Sequence, residues 1–120
     1  MWIYAQSTGN ISRNGAVAGQ GYSGFGEGKN NPAMQAVVDV GPIPQGVYRI
    51  GPPHDTTTHG PHVMDLTPAP GTDTHGRDGF LIHGDSLEHP GAASHGCIIL
   101  GHDLRVKISG SGDGQLQVVV

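Results

Sequence analysis

Gly79-Phe80-Leu81-Ile82-His83-Gly84, followed by Ser94-His95-Gly96-Cys97-Ile98-Ile99-Leu100, is the stretch on which the reading of this chain turns. Gly79–Ile82 is a short apolar run that reads as a buried strand delivering His83 at its end. A second apolar run, Ile98–Leu100, comes directly after the only cysteine of the chain. A lone thiol acts as a nucleophile when a base lies near it and backbone N–H groups can hold an oxyanion. His83 stands fourteen positions before Cys97, enough for a strand, a loop and a return to bring imidazole and thiol together. Gly96 removes side-chain bulk just before the thiol, so the Gly96 and Cys97 amides are the candidate oxyanion donors. The competing reading is a small buried hydrophobe, which fits the Ile-Ile-Leu run; the Ser-His-Gly-Cys order with the upstream Ile-His-Gly favours the nucleophile.

Outward from this stretch the chain reads as short strands joined by loops. Strands are expected over Trp2–Gln6, Gly9–Ser12, Val47–Ile50, Val63–Leu66 and Leu116–Val120. Asn14-Gly15 marks a tight turn, because both residues tolerate positive φ. Residues 19–32 read as a glycine-rich loop; no Lys and Ser or Thr follow in phosphate-loop order, which argues against a phosphate cradle. Asn31-Pro32 is placed to cap a short helical turn running to Val38. Gly41-Pro42-Ile43-Pro44-Gln45-Gly46 is a rigid turn, and residues 52–61 and 68–78 are polar loops. Asp103 is expected to cap a short helix over Leu104–Ile108, ended by Gly110-Ser111-Gly112. The fold class expected is mainly β: a small, mostly antiparallel sandwich or barrel with one or two short helices, one domain over residues 1–120.

Composition narrows the function classes. The 120 residues include 21 glycines and 9 prolines spread between apolar runs, which makes them turn residues rather than a disordered tail. Aromatic residues are only 5%, so the core must rest on Val, Ile, Leu and Ala. A formal charge of −4 with six scattered Lys and Arg gives no basic patch, which argues against a nucleic-acid partner. No run approaches the ~18 apolar residues that span a bilayer, so no membrane insertion is expected. The start, Met1-Trp2-Ile3-Tyr4-Ala5-Gln6, lacks the basic and apolar regions of a secretory signal peptide. One cysteine cannot form an intrachain disulfide.

The motif Ile82-His83-Gly84 … Ser94-His95-Gly96-Cys97-Ile98 resembles the active-site signature of the L,D-transpeptidase catalytic domain. Trp2-Ile3-Tyr4-Ala5-Gln6-Ser7-Thr8-Gly9, Gly21-Tyr22-Ser23-Gly24, Asn30-Asn31-Pro32 and Gly41-Pro42-Ile43-Pro44-Gln45-Gly46-Val47-Tyr48 extend the likeness. They are similar to the small L,D-transpeptidase-like antibacterial effectors delivered by type VI secretion. The resemblance implies a cysteine enzyme that attacks the bond between the third-position diamino acid and D-Ala of a peptidoglycan stem tetrapeptide. Water as acceptor gives L,D-carboxypeptidase action, a D-amino acid gives exchange, and the amine of a second stem gives cross-linking. It also implies action in the periplasm of a target bacterium, a cognate immunity protein, and no cofactor. Cys97 then corresponds to the nucleophile and His83 to the base, with Gly84 or Asp85 orienting its second nitrogen. His95 shapes the pocket and is the second choice as base. Ser94 bonds within the turn, and Tyr22 and Ser23 are candidates for the substrate groove, against the plainer reading of turn residues.

The chain departs from the wider family in two places. Only residues 84–93 separate His83 from Ser94, several fewer than usual, which implies a smaller wall over the site. Ile99 stands where the wider family often has Arg or Asn, which favours packing there over a polar role.

Two rival readings come from other classes. Eight histidines invite a zinc site built from His54, His59 and His62 with Asp55 and Asp65. Their spacing fits neither a helical i, i+4 pair nor a His-x-His strand, and Pro53 and Pro61 argue for solvated loop residues. His75, His89 and His102 are expected at the surface. A non-enzymatic cell-wall-binding module would need aromatic platforms or a basic groove, and one Trp with three Tyr supplies little of either.

Overall fold

Trp2 and Tyr4 of β1 (Trp2–Ala5) are buried while Ile3 and Ala5 are half-covered, the period-2 pattern of a strand with one dry face. The computed structural model describes residues 1–120. It continues with β2 (Asn10–Arg13), β3 (Ala16–Gln20), β4 (Tyr22–Ser23), β5 (Gly46–Ile50), β6 (His54–Thr56), β7 (Gly60–Pro68), β8 (Leu81–His83) and β9 (Ile98–Ile99). The single α-helix, α1 (His102–Ser109), precedes β10 (Gln115–Val119). The mainly-β class expected from sequence is what forms.

The strands join in the order β3-β2-β1-β10-β5-β7-β8-β9-β4, with β6 attached to β7 off this path. Most neighbours are antiparallel, but β1 runs parallel to β10 and β8 runs parallel to β9. Trp2, Tyr4, Ile11, Tyr48, Met64, Ile82, Ile98 and Leu116 come from seven different strands into one core, closed on one side by Ile108 of α1. Burial of each such side chain is worth about 1.5–3 kcal/mol.

Several local expectations are modified. Asn14 (φ 53°) and Gly15 (φ 80°) form the two-residue turn, pairing Arg13 with Ala16. The chain beyond continues as β3, which takes the first two residues of the expected glycine-rich loop, and β4 takes two more. Asn31 does cap, its side chain accepting from the Ala33 amide at 3.2 Å, but the turn is a single 3-10 turn over Pro32–Met34 and stops short of Val38. The polar stretch 52–61 folds back as a hairpin, β6 on β7, because Thr56 Oγ1 accepts from the His59 amide at 2.8 Å and donates to the Gly60 carbonyl at 3.3 Å. Asp103 is not the cap of α1: the helix begins two residues earlier than expected, at His102, with Gly101 at the cap and Asp103 in the first turn.

No helix is long and apolar enough to cross a membrane.

Candidate active site

The parallel pairing of β8 and β9 brings the two halves of the motif together. Ile82 pairs with Ile98 and His83 with Ile99, so extending the register back one residue sets Cys97 beside Leu81. Side chains alternate along each strand. Ile82 and Ile98 point into the core, and His83 and Cys97 therefore share the opposite face of adjacent strands. A parallel pair needs a crossover of about a dozen residues or more, and residues 84–97 are that crossover.

Both side chains open on one cavity of about 220 Å³, whose wall also includes His59, His95, Asp39, Asp78 and Phe80. Cys97 is half-buried rather than sealed in the core. Its Sγ lies 3.9 Å from the Gly79 carbonyl. Burial pushes the thiol up from its ordinary range; the Leu81 amide and the Arg77 charge act against that without cancelling it. His83 is 3% exposed. Its Nδ1 donates to the Gly84 carbonyl at 2.8 Å, which leaves Nε2 free to accept a proton. Burial holds the His83 imidazolium below the ordinary histidine range, helped by the charges of His59 and Arg105 and opposed by the Gly84 bond. Both shifts favour the uncharged forms, thiol and imidazole.

The other sequence candidates divide into those that reach the cavity and those that build it. Gly84, through its carbonyl, orients His83, while Asp85 is turned elsewhere. Asp85 accepts from the Tyr22 hydroxyl at 2.6 Å and from the Ser86 and Gly91 amides at 2.8 and 3.1 Å. Burial works to raise the Asp85 carboxyl, but those hydrogen bonds and the Lys29 charge outweigh it and hold the group below its ordinary value. The same Tyr22 hydroxyl accepts from the Ala93 amide at 2.9 Å, so Tyr22 ties both ends of the 84–93 loop. Ser23 is fully buried and cannot line a groove; its Oγ accepts from the Ile43 amide at 2.8 Å and donates to the Gly96 carbonyl at 3.1 Å. Ser94, also fully buried, donates to the Cys97 carbonyl at 2.6 Å and accepts from the Gly24 and Gly96 amides at 2.9 and 3.1 Å. The Gly96 amide is thereby taken up inside the turn, against its reading as an oxyanion donor. His95 sits at the cavity rim, its Nδ1 on the Asp39 carbonyl at 3.0 Å and its ring stacked on Phe25 with centroids 5.4 Å apart.

Two residues that matter to this geometry fell outside the sequence candidates or were read differently. Arg77, in the stretch read as a polar loop, is 7% exposed behind the Cys97 turn. It donates to the carbonyls of Gln35, Pro42, Gly41 and His95 at 2.6, 2.7, 2.9 and 3.3 Å. Gly96 has φ +130°, and a Cβ there would meet Arg77 Nη2 at 2.5 Å, so the residue before the thiol has to be glycine. His59, considered only as a metal ligand, lies against His83 with ring centroids 4.6 Å apart.

The histidines of the zinc reading do not converge. His54 Nε2 meets Asp65 Oδ1 at 2.9 Å, His62 Nε2 meets Ser109 Oγ at 2.7 Å, and His59 packs on His83. No three His, Cys, Asp or Glu side chains are grouped to hold a metal ion.

No curated protein sequence matches the chain significantly. Residues 18–111 match the Tlde1 domain, a span that holds His83, the 84–93 loop, Cys97 and the Arg77 behind it. That coverage of more than half the chain, over the segment that builds the cavity, makes the protein a member of the Tlde1 domain family of L,D-transpeptidase-like type VI secretion effectors.

Proposed function

We propose that the protein is a cysteine acyltransferase that cleaves stem tetrapeptides of peptidoglycan between the third-position diamino acid and the terminal D-Ala. The single observation that carries this reading is that His83, with Nδ1 committed to the Gly84 carbonyl, and Cys97 open on one cavity. Membership of an effector family directed at peptidoglycan supports the substrate class.

The reaction begins with a neutral pair. Cys97 Sγ attacks the carbonyl carbon of the diamino acid as its proton passes to His83 Nε2, and the Cys97 amide takes the developing oxyanion. Burial of both groups disfavours a standing thiolate–imidazolium pair, so proton transfer accompanies attack. The tetrahedral adduct collapses with return of the proton from His83 to the departing D-Ala nitrogen, leaving a thioester on Cys97. Water, or the amine of a D-amino acid or a second stem, then attacks the thioester. His83 takes the proton of that nucleophile, and the thiol is regenerated when the product leaves. The short 84–93 loop leaves the thioester open to small acceptors, which favours hydrolysis and exchange over cross-linking. The place of action is the periplasm of the target cell, and a cognate immunity protein in the producer covers the cavity over Cys97.

Mass spectrometry of defined muropeptides tests the proposal. The wild-type protein should remove one D-Ala from tetrapeptides, or add D-Met when it is supplied, and Cys97→Ala should do neither while keeping its fold. Unchanged tetrapeptide with folded wild-type protein would reject the substrate.

A further inference from the structure

We propose that His59 is a positioning residue for His83: an imidazole carried on the β6–β7 turn that covers the outer face of the buried base and keeps it in working order. The inference rests on the reading of His83 as base.

The local construction is specific. β6 lies off the main strand path and pairs only with β7, so the hairpin projects its turn, Thr57–His59, over the site. Thr56 Oγ1 accepts from the His59 amide at 2.8 Å, and Thr58 Oγ1 lies 3.0 Å from His59 Nδ1. Those two bonds fix the backbone and the ring of His59, which then meets the His83 ring at 4.6 Å with planes tilted by 50°. His59 itself faces solvent and lines the cavity, whereas His83 beneath it is 3% exposed. The polar turn is thus the outer wall of the pocket in which the base is dry.

Two physical effects follow from this contact. As a cover, the His59 ring excludes water from His83, which disfavours its charged form. As a second titratable group, a protonated His59 repels a proton on its neighbour. The other groups facing His83 are Arg105 from α1, Asp85 from the loop after β8, and Cys97 before β9, with Asp39, Asp78 and His95 elsewhere on the cavity wall. Arg105 acts in the same direction as His59, and Asp85 acts against both. Removing His59 should leave Arg105 alone against the Gly84 bond and Asp85, and admit water to the ring.

The test uses His59→Phe, which keeps a ring over His83 without a charge, and His59→Ala, which removes both. The His83 ring proton is followed by NMR across pH in the full chain, assigned by its loss in His83→Gln, and muropeptide cleavage is measured over the same range. The His83 midpoint should rise in both variants, more in His59→Ala than in His59→Phe. The acid limb of the cleavage rate should move the same way, with a several-fold loss on the acid side that shrinks as the pH rises. An unchanged His83 midpoint in both variants, with cleavage lowered equally at every pH or not at all, would overturn the proposal by making the hairpin a purely structural wall. If the wild-type protein cleaves no muropeptide but the His83 midpoint shifts as stated, the contact stands and the substrate reading fails instead.

Discussion

Replacing Arg77 by lysine keeps the charge behind Cys97 and removes the planar fork. The two terminal nitrogens of Arg77 serve four carbonyls, those of Gln35 and Pro42 through Nη1 and those of Gly41 and His95 through Nη2. A lysine ammonium has three donors at a single point, so at least one carbonyl loses its partner. One charge-assisted hydrogen bond contributes about 1.5–3 kcal/mol, and an orphaned buried acceptor costs about 1–3 kcal/mol. The two figures describe overlapping effects, so a net loss of about 2–4 kcal/mol is expected. That is a large part of the ~5–15 kcal/mol that stabilises an ordinary domain. For a chain of this size it lowers the melting temperature by roughly 8–16 °C. Calorimetry measures this directly. Because the charge is kept, any change in Cys97 alkylation by iodoacetamide reports the geometry of the turn rather than the field at the sulfur. A melting temperature within about 2 °C of wild type, together with unaltered alkylation, would refute the reading of Arg77 as the bridge from the Gln35, Gly41 and Pro42 carbonyls to the His95 carbonyl of the Cys97 turn.

The remaining predictions concern the loop and the thiol. Tyr22→Phe removes the hydroxyl that joins Asp85 to the Ala93 amide, and hydrogen exchange at Ala93 and proteolytic nicking within 84–93 should both quicken; unchanged exchange at Ala93 would count against the clasp. The half-buried Cys97 thiol lies above its ordinary range and the buried His83 imidazolium below its own, so lowering the pH from alkaline values empties the thiolate before His83 gains a proton. The iodoacetamide rate of wild-type protein should therefore climb with pH through the ordinary thiol value of about 8.5. A plateau beginning near pH 6 would instead reveal a preformed thiolate–imidazolium pair, contrary to the neutral resting state.

Position in the chain accounts for what could be read early. β1 was legible from its alternation, the Asn14-Gly15 turn from two residues that accept positive φ, and the Asn31-Pro32 cap from the chemistry of its own side chains. These signals are local, with cause and effect a few residues apart. Polar loops were harder, because a threonine-rich stretch such as 52–61 carries no apolar period. What turns it into β6 and a hairpin is Thr56 bonding on both sides of the His59 turn.

The sequence by itself determined the mainly-β class, the juxtaposable His83 and Cys97, and the resemblance that the Tlde1 match places in its family. Only the tertiary structure decided which residues surround them. Arg77 takes its acceptors from residues 35, 41, 42 and 95, and His59 reaches His83 from a hairpin off the main sheet. Tyr22 and Ser23, legible only as groove or turn residues, became a loop clasp and a buried brace when β4 paired with β9. Such roles depend on which distant backbone groups arrive within hydrogen-bonding reach. That is a property of the parallel β8–β9 pairing and the packed core, and residue types along the chain do not encode it in any local pattern.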